Sequence, residues 1–166
     1  MQGYLLDTNI VSYWFQQGTP ENRKVVNHIA SLDPGTPLRI SAITLGEIEY
    51  GHRCVSKSDT AIQTQFNTFI HAQLPAVLDI RKTTRTYYGD IRSRLFAKYS
   101  PQRGRRALRP EQMNDPVTSA TIAVQENDLW IAASAVEHNL VLVTHDGMTH
   151  LRDVTSGILD FEDWAM

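Results

Sequence analysis

Four carboxylates in this 166-residue chain stand where secondary structure is expected to begin or end: Asp7, Glu47, Asp128 and Asp146. Asp7 directly follows the apolar run Gly3–Leu6, and Glu47 falls about one turn into a helical pattern. Asp128 opens another helical pattern, and Asp146 lies two residues beyond the apolar run that ends at Thr144. None has a Lys or Arg close in sequence, so acids of this kind gathered at one place repel one another unless a cation neutralises them. Mg²⁺, or Mn²⁺ in its place, is the natural partner, because a hard ion that keeps several of its waters needs only a few oxygen ligands. Bound beside a phosphodiester, such an ion polarises the phosphoryl oxygen, lowers the pKa of bound water and stabilises the leaving oxygen. Thr8 and Asn9, next to Asp7, and Thr144, next to Asp146, are the supporting hydrogen-bonding residues for a phosphate or for the carboxylates.

Each acid taken singly has a plainer explanation. Asp7 suits a helix N-cap, and Asp128, after Asn127, complements a helix dipole. Thr44-x-x-Glu47 fits a capping box, and Asp146-Gly147 fits a turn. Rival chemistries find less support. The six histidines include no His-Glu-x-x-His pattern, and nucleophile-elbow, Walker and dinucleotide-binding glycine motifs are absent.

The elements that must position these residues follow from the periodicity. Gly3–Leu6 reads as a strand followed by a helix with Ile10, Val11, Trp14 and Phe15 at helical spacing. A second helix runs from Pro20 through Leu32 and stops at Asp33-Pro34-Gly35. Leu38 to Ser41 is the second strand, with helices expected from about Ile43 and from Ser58 to about Gln73. Ala76 to Ile80 is a third strand, followed by a basic helix from about Thr83 to Tyr99 and a loop to about Pro116. Thr118 to Glu126 is ambiguous, Asn127 to His138 is a helix, Leu140 to Thr144 is a buried strand, and the last 20 residues add an edge strand. Alternating strands and helices argue an α/β sandwich with a parallel central sheet, whose ligands bind at the carboxyl ends of the strands.

With 42% hydrophobic and 20% charged residues the chain has an ordinary globular composition. Cys54 is the only cysteine, which excludes an internal disulfide framework and suits a reducing cytoplasm. No apolar run approaches the roughly 20 residues of a membrane span, so a cytoplasmic protein with no membrane partner is expected. Charge is segregated: ten of the 16 Lys and Arg residues lie between Arg81 and Arg109, opposed there only by Asp90. Such a stripe attracts a phosphate backbone, or else forms a solvated helix whose arginines pair with nearby acids.

Four blocks, YLLDTNIVSYW, SAITLGEIEYG, ENDLWIAASAV and LVLVTHDGMTHL, resemble the PIN domain, and specifically the VapC-type ribonuclease toxins. The order and spacing agree across nearly the whole chain, so residues 1–166 are expected to form one PIN domain with a basic helix and Arg-rich loop insertion at about 81–116. The resemblance implies a Rossmann-like α/β/α sandwich with a mainly parallel central sheet of four to five strands, and an Mg²⁺- or Mn²⁺-dependent endoribonuclease acting on a structured RNA, tRNA being the commonest target. It also implies a cognate antitoxin and a homodimer. Asp7, Glu47 and Asp128 match the first three acids of the family, with Glu47 acting directly or through water. Asp146 matches the fourth, with Asp153 a distant second choice. The departure from the family pattern lies between about Ser100 and Gln125, where an Arg-rich insertion makes Arg103, Arg105 and Arg106, with Arg94, the expected RNA-binding residues. Trp14 and Phe15 fall where the family forms its antitoxin groove. An RNA-processing nuclease without an antitoxin, or a catalytically weak scaffold, is the alternative.

Overall fold

A computed structural model describes residues 2–54, 60–74, 76–100 and 108–166. The elements follow in the order β1 (Gly3–Leu6), α1 (Thr8–Phe15), α2 (Pro20–Ser31), β2 (Leu38–Ser41), α3 (Ala42–Cys54), α4 (Thr60–Gln73) and β3 (Val77–Leu78). After these come α5 (Thr84–Tyr99), a short 3₁₀ turn (Pro110–Gln112), α6 (Glu126–Glu137), β4 (Leu140–Val143), α7 (Thr149–Val154) and β5 (Phe161–Glu162). The strands form one parallel sheet in the order β3-β2-β1-β4-β5.

Strand side chains alternate between two helical layers, as a period of two demands. Leu5 and Leu142 enter a core built with Ile91 and Leu95 of α5, Leu129 and Ile131 of α6, and Leu151 of α7. Leu6 and Val143 enter the other, with Ile10 and Val11 of α1, Val25 of α2, Ile48 of α3, and Phe66 and Ile70 of α4. This is the expected α/β/α sandwich, and β5 is the edge strand expected of the last 20 residues. None of the described helices is long and apolar enough to cross a membrane.

Local signals set several boundaries. Thr19 caps α2, its Oγ1 accepting from the Asn22 amide at 3.0 Å, with Pro20 opening the helix. Asp33-Pro34-Gly35-Thr36 closes as a turn through Thr36 N to Asp33 O at 3.1 Å, and Gly35 takes the positive φ of +88° that such a turn favours in glycine. The described part of the loop expected to about Pro116 is a loop apart from its 3₁₀ turn, and with the ambiguous stretch after it this segment is folded onto the core: Met113, Ile122 and Val124 are buried, and Asn114 bridges Thr121 in antiparallel fashion. One element departs from expectation. Helix α7 lies where no helix was expected, since it spans six residues and its preceding residue, Met148, has a left-handed backbone with no side-chain cap.

β1 lies between two neighbours and leaves no room at its first residue. A Cβ on Gly3 would lie 2.8 Å from the Pro37 carbonyl oxygen and 3.1 Å from Leu140. Gly3→Ala is therefore expected to destabilise the protein by about 1–3 kcal/mol, the usual cost of overpacking, as measured by chemical denaturation.

Candidate active site

The register of the sheet brings the acids together. Leu6 pairs with both Ile40 and Val143, so the three central strands end level, and the Asp7 amide continues the ladder by donating to Val143 O at 2.9 Å. Asp7 then caps α1, its Oδ1 accepting from the Thr8 amide at 2.8 Å. Its Oδ2 accepts from Thr144 Oγ1 at 2.7 Å and from Asn9 Nδ2 at 3.3 Å. Cap and buried site residue are thus one side chain, only 4% exposed.

Glu47 is released from capping because Ser41, not Thr44, serves the start of α3: Ser41 Oγ accepts from the Thr44 amide at 3.0 Å. The glutamate instead accepts from Thr8 Oγ1 and, at 2.8 Å, from Asn127 Nδ2. Because α6 runs directly into parallel strand β4, the first turn of α6 lies at the carboxyl edge of the sheet. Asp128 sits in that turn, and its Oδ2 accepts from the Gln125 amide at 2.7 Å, closing half of a capping box. Asp146 is exposed and tied in by Asn9, whose Nδ2 reaches its Oδ2 at 3.0 Å, while its own amide donates to Thr144 Oγ1 at 3.1 Å. Asn9 also accepts from the His145 amide at 3.0 Å, so one side chain links β1, α1 and the loop after β4.

All four acids line one cavity of about 730 Å³ with Thr8, Asn9, Gln125, Ile122, Ala123 and residues 147–150, and none of these lining residues is Lys or Arg. Burial pushes the Asp7 carboxyl up against the pull of its hydrogen bonds from Thr144 and Thr8, and Glu47 and Asp146 add to the rise. Burial likewise raises Asp128 to about 6, opposed by the Gln125 amide and reinforced by Asp7, Glu47 and Asp146. A donor set made of oxygen, anionic and without its own cations fits a hard divalent ion. Among the described residues no three His, Cys, Asp or Glu side chains close into a metal cage. An ion held by a few carboxylates and its own waters needs none.

The remaining sequence-derived residues divide. Asp153 lies outside the cavity, accepting from the Tyr99 hydroxyl and pairing with Lys98, whereas Asp146 lines it. Trp14 and Phe15 line a second cavity of about 740 Å³ between α1, α2 and α4, where Trp14 meets Phe69 edge-on at 5.2 Å. Arg94 is exposed and pairs with Asp90 on its own helix, while Arg92 pairs with Glu126. Arg103, Arg105 and Arg106 lie outside the described residues. Sequence reasoning passed over Asn127 as a partner of Glu47, and over Gln125, Ile122 and His150 as cavity walls. The only hint for Asn127 was its place beside Asp128.

Comparison with known proteins agrees with this geometry. The PIN domain profile matches residues 4–154. The chain is 29% identical over 143 residues to ribonuclease VapC2 of Rickettsia felis, covering 86% of each. It superposes on a chain of the VapBC2 complex of Rickettsia felis bound to a promoter DNA fragment with TM-score 0.68 and 25% identity, over 97% of this chain and 98% of that one. VapBC-1 of nontypeable Haemophilus influenzae shares the fold at TM-score 0.67 and 24% identity, over 98% of both chains.

Asp128 generates a stability prediction. With its pKa lifted from 3.8 to about 6 in the fold, its contribution is fully present below 3.8 and is lost as pH rises through about 6. In EDTA, Asp128→Asn, whose amide oxygen still accepts from Gln125, should raise the melting temperature at pH 7 and leave it nearly unchanged at pH 4. Thermal melts of the two proteins across that range check this.

Proposed function

Because the chain belongs to the PIN-domain family, we propose that it is a divalent-metal-dependent endoribonuclease and the toxin of a toxin–antitoxin pair, acting in the cytoplasm on a structured RNA, tRNA foremost. The observation that carries this reading is the gathering of Asp7, Glu47, Asp128 and Asp146 around one cavity that no Lys or Arg among the described residues lines. An intact acid set of this kind argues for an enzyme over a scaffold that has lost catalysis.

Asp7, Asp128 and Asp146 would hold Mg²⁺ or Mn²⁺, with Glu47 contributing directly or through a water. The bound ion supplies Lewis acidity at the phosphoryl oxygen and a water of lowered pKa. The chain's own residues supply the geometry. Thr144 and Asn9 fix the Oδ2 of Asp7, and Asn9 also holds Asp146 in reach. Thr8 and Asn127 hold the two oxygens of Glu47 apart, which orients its carboxylate plane. Hydrogen-bonded carboxylates of this sort keep their positions when the cavity is empty and lose little entropy on binding an ion.

The basic helix α5 and the Arg-rich segment after it would draw the RNA backbone to this edge, through Arg94, Arg103, Arg105 and Arg106. The groove between helices that holds Trp14, Phe15 and Phe69 is mixed, with Gln17, Asn22, Gln65, Thr68 and Gln73 beside the aromatic rings, and suits an amphipathic antitoxin helix.

Antitoxin-free protein incubated with total cellular RNA should give discrete new ends with Mg²⁺ or Mn²⁺ and none with EDTA or in Asp7→Asn. Asn9→Ala, which keeps every acid but removes the link among Asp7, Thr144 and Asp146, should slow cleavage by about 10–100-fold, the usual effect of losing a residue that orients metal ligands. Absence of cuts with either metal from folded protein would overturn the nuclease reading. Replacing Arg103, Arg105 and Arg106 together by Ala should weaken RNA binding and reduce the salt slope of log K by roughly 0.7 for each phosphate no longer neutralised. An unchanged slope would remove this segment from the RNA-binding surface.

A further inference from the structure

Of the four acids, Asp146 is the one the regular structure grips least. Asp7 is buried and Glu47 and Asp128 are half-buried, whereas Asp146 is exposed and belongs to no helix or strand. Two residues later Met148 takes a left-handed backbone with φ +42°, which a non-glycine residue keeps only where its surroundings impose it. Asn9 and Thr144 tie Asp146 itself, through its Oδ2 at 3.0 Å and its amide at 3.1 Å. The residues on either side of it are held from β5, which lies on the flank of β4 away from β1.

After Asp146, the carbonyl of Gly147 accepts from Arg152 Nε at 2.9 Å, and the Arg152 guanidinium lies 4.4 Å from the centre of the Phe161 ring in β5. Before it, His145 Nδ1 lies 2.9 and 3.1 Å from the two carboxylate oxygens of Asp163, which follows β5 directly. Both anchors are themselves fixed. Phe161 pairs with Leu142 in the sheet and packs on the core that Leu142 enters. Asp163 accepts from the Ala165 amide at 2.8 Å, and Trp164 and Ala165 are each buried. The sheet continues between the two tethers, with the Thr144 amide donating to Glu162 O at 2.9 Å. A guanidinium gains its attraction to an aromatic ring from position alone, so the bond from Nε to a backbone carbonyl is a separate, directional restraint. That carbonyl belongs to the peptide leading into Met148, which places the restraint at the strained point of the turn.

We infer that β5 and the residue after it are the mount of Asp146: Arg152, seated on Phe161, and His145, seated on Asp163, are positioning residues that hold this acid in place for the metal ion. This rests on the reading above that the acids bind Mg²⁺ or Mn²⁺. With either tether cut, Asp146 keeps its bond to Asn9 but its turn is free to drift, and ordering it then costs part of the ion's binding energy.

Mn²⁺ affinity, read from the electron paramagnetic resonance signal of the free ion, measures this on the full chain without turnover. Arg152→Met keeps an aliphatic stem over Phe161 and removes the Nε donor, and His145→Phe keeps a ring beside Tyr13, which meets the imidazole edge-on at 5.8 Å, and removes Nδ1. Each should lose about tenfold in Mn²⁺ affinity, the lower end of what the loss of a ligand-orienting partner costs. In an Asp146→Ala background, which itself should bind the ion more weakly, neither change should cost anything further, because the group they position is gone. Should one variant fail to fold by circular dichroism, the other decides. Unchanged affinities, or equal losses with and without Asp146, would reduce both residues to tertiary struts and overturn the inference. An Asp146→Ala protein that binds Mn²⁺ as tightly as the intact one would overturn it too. RNA cleavage by the intact protein is scored separately: cuts alongside unaltered Mn²⁺ affinities in the variants sink only this inference, and Asp146-dependent losses of affinity without cuts sink only the nuclease reading.

Discussion

Like-charge repulsion is the constraint around which this molecule is arranged. Four carboxylates share one cavity that no lysine or arginine among the described residues lines, and two of them, Asp7 and Asp128, have their proton affinity raised chiefly by burial. The fold holds this unfavourable arrangement with hydrogen bonds that serve two ends at once. Asp7 caps α1 and receives Thr144; Asp128 ties down the start of α6; Glu47 bridges a threonine from α1 and an asparagine from α6. Removing a carboxylate would relieve repulsion and also strip a helix end or a strand junction of a partner. The acids are therefore as much a part of the architecture as of the chemistry, and the choice between cap and site residue is a false one at Asp7 and Asp128.

The parallel sheet makes this economical. With β1 at its centre and β2 and β4 on either side, the residues that follow each strand emerge side by side, and a helix that leads into a parallel strand must begin at the same edge. Asp7, Glu47, Asp128 and Asp146, from four separate stretches of sequence, converge at that edge. The charge segregation of the chain has the same logic at larger scale. Acids collect in the cavity, while Arg92, Arg94 and Lys98 of α5 stand outside it, already engaged by Glu126, Asp90 and Asp153.

What could be read in the sequence was what short-range pattern encodes. Leu140–Val143 and Gly3–Leu6 are apolar runs flanked by turn-forming or charged residues, and α6 carries an unbroken alanine-rich core face, so strands, helix and the acids at their ends were legible. Ser41 and Thr44 are both hydroxyl residues, and only the backbone decides which of them opens α3, so the capping box that Thr44-x-x-Glu47 offers as a plainer explanation is not formed. The folding of residues 108–125 onto the core was not legible. Met113, Ile122 and Val124 follow no helical or strand period, and their burial comes from α5, α6 and α7 packed around them. His150 escaped for a related reason: its partner Asp115 is 35 residues away, and no local motif announces the pair.

The chain between α5 and α6 is two-faced. Met113, Ile122 and Val124 bind it to the core, whereas residues 116–121 between them are exposed, with Val117 at 89%. A change on the outer face disturbs neither the core nor the carboxylates, because the anchors on either side hold the segment in place. Such a segment is modular: its outward residues are free to vary with the shape of whatever approaches the cavity, while the hydrolytic apparatus beneath stays constant. New target preferences could thus arise by substitutions at a handful of exposed positions, without the loss of stability that a redesigned active site would bring.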